Sequence, residues 1–138
     1  MKRVVIESPY AGDRAKNDAY LDEAMRDSFA RGEAPFASHR LYPGILDDDN
    51  QEDRRLGMEA GFAWGAVAEL VAVYANLGIS PGMRAGIERA VRHRIPVEYR
   101  TILEDAPTQP VRHIWPPPLA AKTGYVSPET GYVAPERS

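Results

Sequence analysis

The feature of the sequence that most limits its fold is a regular alternation of strand-like and helix-like segments over the first hundred residues. The strand-like segments are residues 3–7, a short apolar and β-branched run, and residues 35–39, 70–74 and 96–100. The stretches between them repeat apolar residues at helical spacing. This alternation predicts an α/β domain with a small, doubly wound parallel sheet of four to five strands and flanking helices.

Local signals set the expected ends of the helices. Gly32 follows the first helical segment, where a left-handed helix terminus favours glycine. Asp49 with Glu52 is typical of a cap for the second helix, whose inward face we expect to carry the apolar residues Leu56, Ala60, Ala63, Trp64 and Val67. Ser80-Pro81 is a typical start for the third, with serine as the cap and proline at the first helical position.

Composition excludes several classes of protein. The chain carries 17 basic and 20 acidic residues, a formal charge of −3, which argues against a nucleic-acid binder. It has no cysteine, so disulfide scaffolds, thiolate zinc sites and cysteine nucleophiles are excluded. The apolar stretch 60–75 contains Glu69 and is too short to span a membrane, and the N-terminus reaches an acid before a signal peptide could form. We therefore expect a cytoplasmic protein without a nucleic-acid or membrane partner.

Proline marks a boundary near residue 106. Seven of the twelve prolines lie in the last 32 residues, which also contain a near-duplicated heptad, TGYVSPE followed by TGYVAPE. Such composition is typical of polyproline II and turns. We assign residues 1–106 to the α/β domain and residues 107–138 to an extended tail, which is either a plain arm or a docking arm anchored by Trp115, Tyr125 and Tyr132.

The predicted sheet directs attention to three loops, because ligands of such sheets bind at the carboxyl ends of the strands. The third of these loops leads into the helix that starts at Ser80-Pro81, and the free N–H groups and dipole of a helix start favour an anion such as a phosphate. His39, after the second strand, is a candidate acid–base or sugar-orienting residue, or a hydrogen-bonded rim histidine. The candidate ligand-binding residues in these loops are Ser8, Tyr10, Ser38, Asn76, Ser80, Gly82 and Met83.

Carboxylates offer further candidates. The run Asp47–Asp49 has the hard oxygen ligands that Mg²⁺ prefers, but such runs are more often solvated loops, and we expect no metal. Glu59 and Glu88 lie on predicted helices near the sheet, and either would be catalytic only if its side chain turned toward the rim.

The order of these segments resembles the nucleoside 2-deoxyribosyltransferase-like superfamily, particularly its small phage and bacterial branch. The resemblance is carried by Val4–Tyr10, Ser38-His39, Gly78–Met83 and Ile95–Arg100, and it covers about residues 3–102. It implies a flavodoxin-like sheet and cleavage or exchange of the N-glycosidic bond of a nucleoside or its 5′-monophosphate. It also implies a homo-oligomer, a dimer or larger, that needs no cofactor, and a phage-encoded protein would work in the host cytoplasm.

One position departs from the pattern that the resemblance implies. In such enzymes a glutamate that follows the Ser-x-Gly element attacks the anomeric carbon, and the corresponding residue here is Gly86. Asn76 stands where related sequences often have aspartate. The nearest carboxylate is Glu88, about 200° further around the helix. We name Glu88 and His39 as catalytic candidates, and the alternatives are an inactive nucleotide-binding module on the same fold or an assembly protein that carries the tail.

Overall fold

The computed structural model describes residues 1–102 and the two residues 125–126. Its strands are β1 (Lys2–Glu7), β2 (Glu33–Phe36), β3 (Leu70–Tyr74), β4 (Val97–Arg100) and β5 (Tyr125–Val126). Its helices are α1 (Arg14–Ala30), α2 (Ser38–Leu41), α3 (Gln51–Gly65) and α4 (Pro81–Arg92). The proposed boundary at residue 106 and nearly all of the tail, including Trp115 and Tyr132, lie outside the described residues.

The strands form one sheet in the order β2-β1-β3-β4-β5. The first four strands are parallel, and β5 pairs antiparallel with the outer edge of β4. Val5 lies beside Phe36 on one side and Val71 on the other, which fixes the register of the central strands. The predicted parallel α/β sheet with flanking helices is therefore confirmed.

The two faces of the sheet have separate cores, because successive side chains of a strand point to opposite faces. On one face Ile6 and Tyr74 pack with Leu21 of α1. On the other face Val73 packs with Met83 of α4. Helices thus cover both faces, as in doubly wound folds.

The α1 face also encloses a buried ion cluster around Arg100, whose side chain is 1% exposed. The guanidinium donates to both carboxylate oxygens of Glu33 at 2.7 Å and to Glu98 at 2.7 and 3.2 Å. Tyr74 donates its hydroxyl to Asp27 at 2.7 Å beside this cluster. Every carboxylate in the cluster has a donor, as buried charges require.

Helix ends follow the predicted signals with one shift. Gly32 has φ 76°, and Ser80 caps α4 by accepting from the N–H of Met83 at 3.3 Å. The cap of α3 is Asn50 instead of the predicted Asp49, since the Asn50 side chain accepts from two N–H groups of the first turn.

Two sequence predictions are wrong in detail. The second strand comes earlier than predicted, at 33–36, and Ser38 and His39 begin the short helix α2. The predicted inward stripe of α3 faces outward, with Leu56 48% and Trp64 56% exposed. The physical cause of this orientation is a row of glycines, Gly57, Gly61 and Gly65, which gives α3 a face without side chains toward the cavity.

Candidate active site

A cavity of about 240 Å³ lies between α2, α3 and α4, against one face of the sheet and the carboxyl end of β1. Val5 and Val71 contribute apolar surface from the sheet, and Phe62 contributes an aromatic wall from α3. Seven of the nine residues that the sequence named as candidates line it together: Ser8, Tyr10, Ser38, His39, Ser80, Gly82 and Met83. The structure thus brings most of the candidate residues to one place, although their roles stay predictions.

The end of β1 supplies a buried hydroxyl. Ser8 is 4% exposed, and its Oγ lies 2.8 Å from Nε2 of His39 in α2. This hydrogen bond fixes the imidazole at the rim of the sheet. Burial, and next the charge of Arg40, lowers the pKa of His39 to about 4. His39 is therefore neutral near pH 7, where it can exchange hydrogen bonds but carries no charge.

Tyr10 stands at the mouth of the cavity. Its ring meets His39 edge-on at 6.2 Å between centroids, and the Arg14 guanidinium lies 3.8 Å from the ring centroid. A cation at this distance from an aromatic face is attracted by the ring. Tyr10 is thus held in place from both sides, and its hydroxyl lies within hydrogen-bonding reach of Asp48.

The start of α4 forms another wall. The Ser80 hydroxyl caps the Met83 N–H, and Met83 Sδ lies 3.5 Å from the Ser80 nitrogen. Gly82, in the first turn, has no side chain to block access to the backbone. A helix start with this geometry suits an anion or a sugar oxygen.

Two predicted residues lie elsewhere. Asn76 accepts hydrogen bonds from the Tyr20 hydroxyl and from the N–H of Ile102, both at 2.8 Å, and donates to the Ile102 carbonyl at 2.9 Å. It ties the loop after β3 to the chain leaving β4, outside the cavity lining. Glu88 is exposed on α4 and also lies outside the lining, because it stands about 200° around the helix from Gly86.

Among the described residues three carboxyl groups line the cavity, those of Asp48, Asp53 and Glu7, and Glu7, the last residue of β1, is the one beside α4. It lies directly against Gly86: a Cβ atom added there would stand 2.1 Å from Glu7 Oε1 and 2.6 Å from Cδ. Burial raises the pKa of Glu7 from its ordinary 4.5 to about 8. Within the part of the chain that the structure describes, the carboxyl group makes no hydrogen bond or ion pair.

The sequence pointed to Glu7 only as one of three glutamates, with Glu59 and Glu88, that would support an enzyme if they reached the rim, and did not place it among the catalytic candidates. The signal that could have found it is its place immediately before Ser8, at the carboxyl end of a central strand. Arg89 of α4 and His93, the residue that caps its C-terminal end, also line the cavity. The Arg89 guanidinium stacks over Phe62 at 4.4 Å from the ring centroid.

Among residues 1–102 and 125–126 no group of three or more histidine or acidic side chains is arranged to hold a metal ion. The run Asp47–Asp49 forms a turn, in which Asp47 accepts from the N–H of Asp49 at 3.0 Å. No helix in those same ranges is long and apolar enough to cross a membrane.

A family model described as a domain of unknown function, DUF7768, matches residues 2–100. The chain belongs to the DUF7768 family. The match spans all four parallel strands and every residue that lines the cavity, so the candidate site lies within the DUF7768 domain. No curated protein matches this sequence.

Two solved structures resemble this DUF7768 protein. A 2-deoxyribosyltransferase from Bacillus psychrosaccharolyticus aligns with a TM-score of 0.60 at 12% identity, over 72% of each chain. A conserved protein from Enterococcus faecalis V583 aligns with a TM-score of 0.54 at 16% identity, over 80% of this chain and 68% of that one. At these identities the likeness shows a deoxyribosyltransferase-like fold.

Proposed function

We propose that this protein binds a nucleoside or a nucleoside 5′-monophosphate and cleaves or exchanges its N-glycosidic bond. The observation that carries the proposal is the unpartnered carboxyl group of Glu7 inside the cavity. Breaking a glycosidic bond builds positive charge on the sugar, and carboxylates are the groups that stabilise or attack such a centre.

The position of the cavity supports the proposal. It reaches the carboxyl end of β1, through Glu7 and Ser8, and the start of α4, through Ser80. The strands β1 and β3 that precede α1 and α4 are adjacent, and their connections leave on opposite faces of the sheet. Doubly wound folds place their ligands at this edge. The likeness to a 2-deoxyribosyltransferase agrees with the reaction class but by itself concerns the fold.

The lining divides into parts that suit the parts of a nucleotide. The start of α4, with Ser80 and Gly82, suits the 5′-oxygen or phosphate. Ser8 and Tyr10 suit the sugar and base edges, with the neutral His39 as a further hydrogen-bond partner. Apolar surface from the sheet and Phe62 suits the faces of a base.

The alternative is a module that binds a nucleotide without turning it over. Gly86 favours it, because the helix position from which the resemblance expects a nucleophile has no side chain. Both functions need the same cavity, but only cleavage needs the Glu7 carboxyl group.

A direct test is chromatographic detection of free base. The purified protein is incubated with ribonucleosides, deoxyribonucleosides and their 5′-monophosphates, with and without a second base as acceptor. Base release from at least one compound is the expected result. Saturable binding by calorimetry without base release would instead support the binding module, and neither binding nor release would refute both.

A further inference from the structure

Glu7 and the residue at position 86 compete for one space. A Cβ atom on Gly86 would lie 2.1, 2.6 and 3.1 Å from Oε1, Cδ and Oε2 of Glu7. Contacts below 3.0 Å cannot persist, so Glu7 in this position requires glycine at 86. The glycine at position 86 and the position of the Glu7 carboxyl group therefore depend on each other. The carboxyl group of Glu7 reaches, from the sheet, the turn of α4 that contains Gly86.

The surroundings of Glu7 differ from those of the other buried glutamates. Glu33 and Glu98 are both bound by Arg100 at 2.7 Å. Glu7 has no such donor among the residues that the structure describes, and burial alone accounts for its raised pKa. Burying a carboxyl group without a partner costs stability, and such groups in a cavity are typical of functional sites.

We propose that Glu7 is the nucleophile of this site and takes the role that a side chain at position 86 would otherwise have. The assignment rests on the proposed N-glycosidic chemistry. The other two carboxylates of the cavity lining, within the described residues, have partners: Asp53 accepts from the N–H of Asp47 at 2.9 Å, and Asp48 is hydrogen-bonded to the Tyr10 hydroxyl.

The step balances without a cofactor. A carboxylate oxygen of Glu7 forms a bond to the anomeric carbon while the bond from that carbon to the base nitrogen breaks. The base leaves with the bonding electron pair and takes a proton from water. Water, or a second base in the exchange reaction, then attacks the same carbon, displaces the Glu7 carboxylate and releases its proton to solvent.

The test compares Glu7→Gln with Glu88→Gln, an equally conservative change of an exposed carboxylate outside the cavity. Base release is measured on a compound that the wild type turns over, and circular dichroism confirms folding. We expect Glu7→Gln to lower the rate roughly 1000-fold or more, and Glu88→Gln to stay within about twofold of wild type. Mass spectrometry of wild type quenched in acid during turnover is expected to show a glycosyl adduct on the peptide that contains Glu7.

The outcomes separate the two proposals. Base release that is equal in wild type and Glu7→Gln would overturn the assignment of Glu7 and leave the proposed function standing. A large loss of rate in Glu7→Gln together with an adduct on another peptide would also overturn it. No base release by the wild type on any compound would overturn the proposed function, and the nucleophile with it.

Discussion

Replacing Gly86 with alanine tests the geometry of the site with a single methyl group. The added Cβ would lie 2.1 Å from Oε1 of Glu7, whereas ordinary contacts begin near 3.4 Å. The carboxyl group must therefore retreat by about 1.3 Å, the difference between these distances. Because it is the far end of a flexible side chain beside a cavity of about 240 Å³, it has space to do so.

The expected effect is a loss of activity without loss of the fold. A reacting group misplaced by about 1 Å costs on the order of 100-fold in rate. Alanine in a helix interior is favoured over glycine by roughly 0.5–1 kcal/mol, and this gain opposes the cost of moving Glu7. We therefore expect Gly86→Ala to reduce base release about 100-fold and to change the free energy of unfolding by less than about 1 kcal/mol.

The assay pairs initial rates of base release with urea denaturation. Glu88→Ala, two residues along the same helix, controls for changes in α4 that do not touch the cavity. Wild-type activity in a folded Gly86→Ala variant would refute the reasoning, because Glu7 would then tolerate displacement. The double variant Glu7→Ala/Gly86→Ala should be no less active than Glu7→Ala alone, since both changes act on the same carboxyl group.

Four further predictions follow from the structure. Arg100→Met should lower the free energy of unfolding by about 3–5 kcal/mol in urea titrations, because Glu33 and Glu98 lose their buried donor. Asn76→Ala should cost about 1–2 kcal/mol by the same measurement and leave base release near wild type, because it removes hydrogen bonds to Tyr20 and Ile102 outside the cavity. Because the pKa of Glu7 is raised from 4.5 to about 8, its favourable contribution to stability is fully present below pH 4.5 and is lost as pH rises through about 8. Urea titrations should therefore show Glu7→Gln more stable than wild type above pH 8, by up to about 5 kcal/mol. Since a nucleophile must be ionised, kcat/KM should rise about tenfold per pH unit up to pH 8 and then level off; a profile that falls over this range would contradict the role of Glu7.

Much of the fold could be predicted from the sequence, because its strongest signals are local. Leu70–Tyr74 is a continuous apolar run, and it forms the central strand β3 with the predicted bounds. Ser80-Pro81 sets the start of α4 through a hydrogen bond within one turn. The error at the second strand has a physical cause: only Phe36 and Ala37 of the segment 35–39 are plainly apolar after Pro35, and nothing local shows that Ser38 begins a helix instead of ending a strand.

The orientation of α3 could not be predicted, because it depends on packing against other elements. Its apolar residues repeat at helical spacing, which ordinarily marks the buried face. The interior instead requires a thin helix face: a Cβ on Gly61 would meet Ser38 of α2 at 2.9 Å. Close approach of α2 and α3 therefore selects glycine for the inner side, and Trp64 is left on the outer side at 56% exposure.

The candidate site was predictable as a place but not as chemistry. The rule for parallel sheets identified the loops, and the cavity joins Ser8, His39 and Ser80 as expected. Glu88 was named as a catalytic candidate because the resemblance places the nucleophile on this helix, at position 86, and Glu88 is the nearest carboxylate in sequence. Glu7 is distant from Gly86 in sequence, and only the parallel packing of β1 under α4 brings the two together.

Two kinds of buried carboxylate thus coexist in one small sheet, and the difference between them connects stability to function. The glutamates bound by Arg100 support the fold, and their removal or that of their partner should weaken it. Glu7 does the opposite near neutral pH, because its ionised form is largely desolvated and has no donor among the described residues to stabilise it. A carboxylate that weakens the free protein but would gain a favourable contact with a developing sugar cation stabilises the transition state more than the ground state. If Glu7 is purely structural, Glu7→Gln leaves the rate of base release unchanged. If Glu7 is the nucleophile, Glu7→Gln is more stable than wild type near and above pH 8 and is inactive.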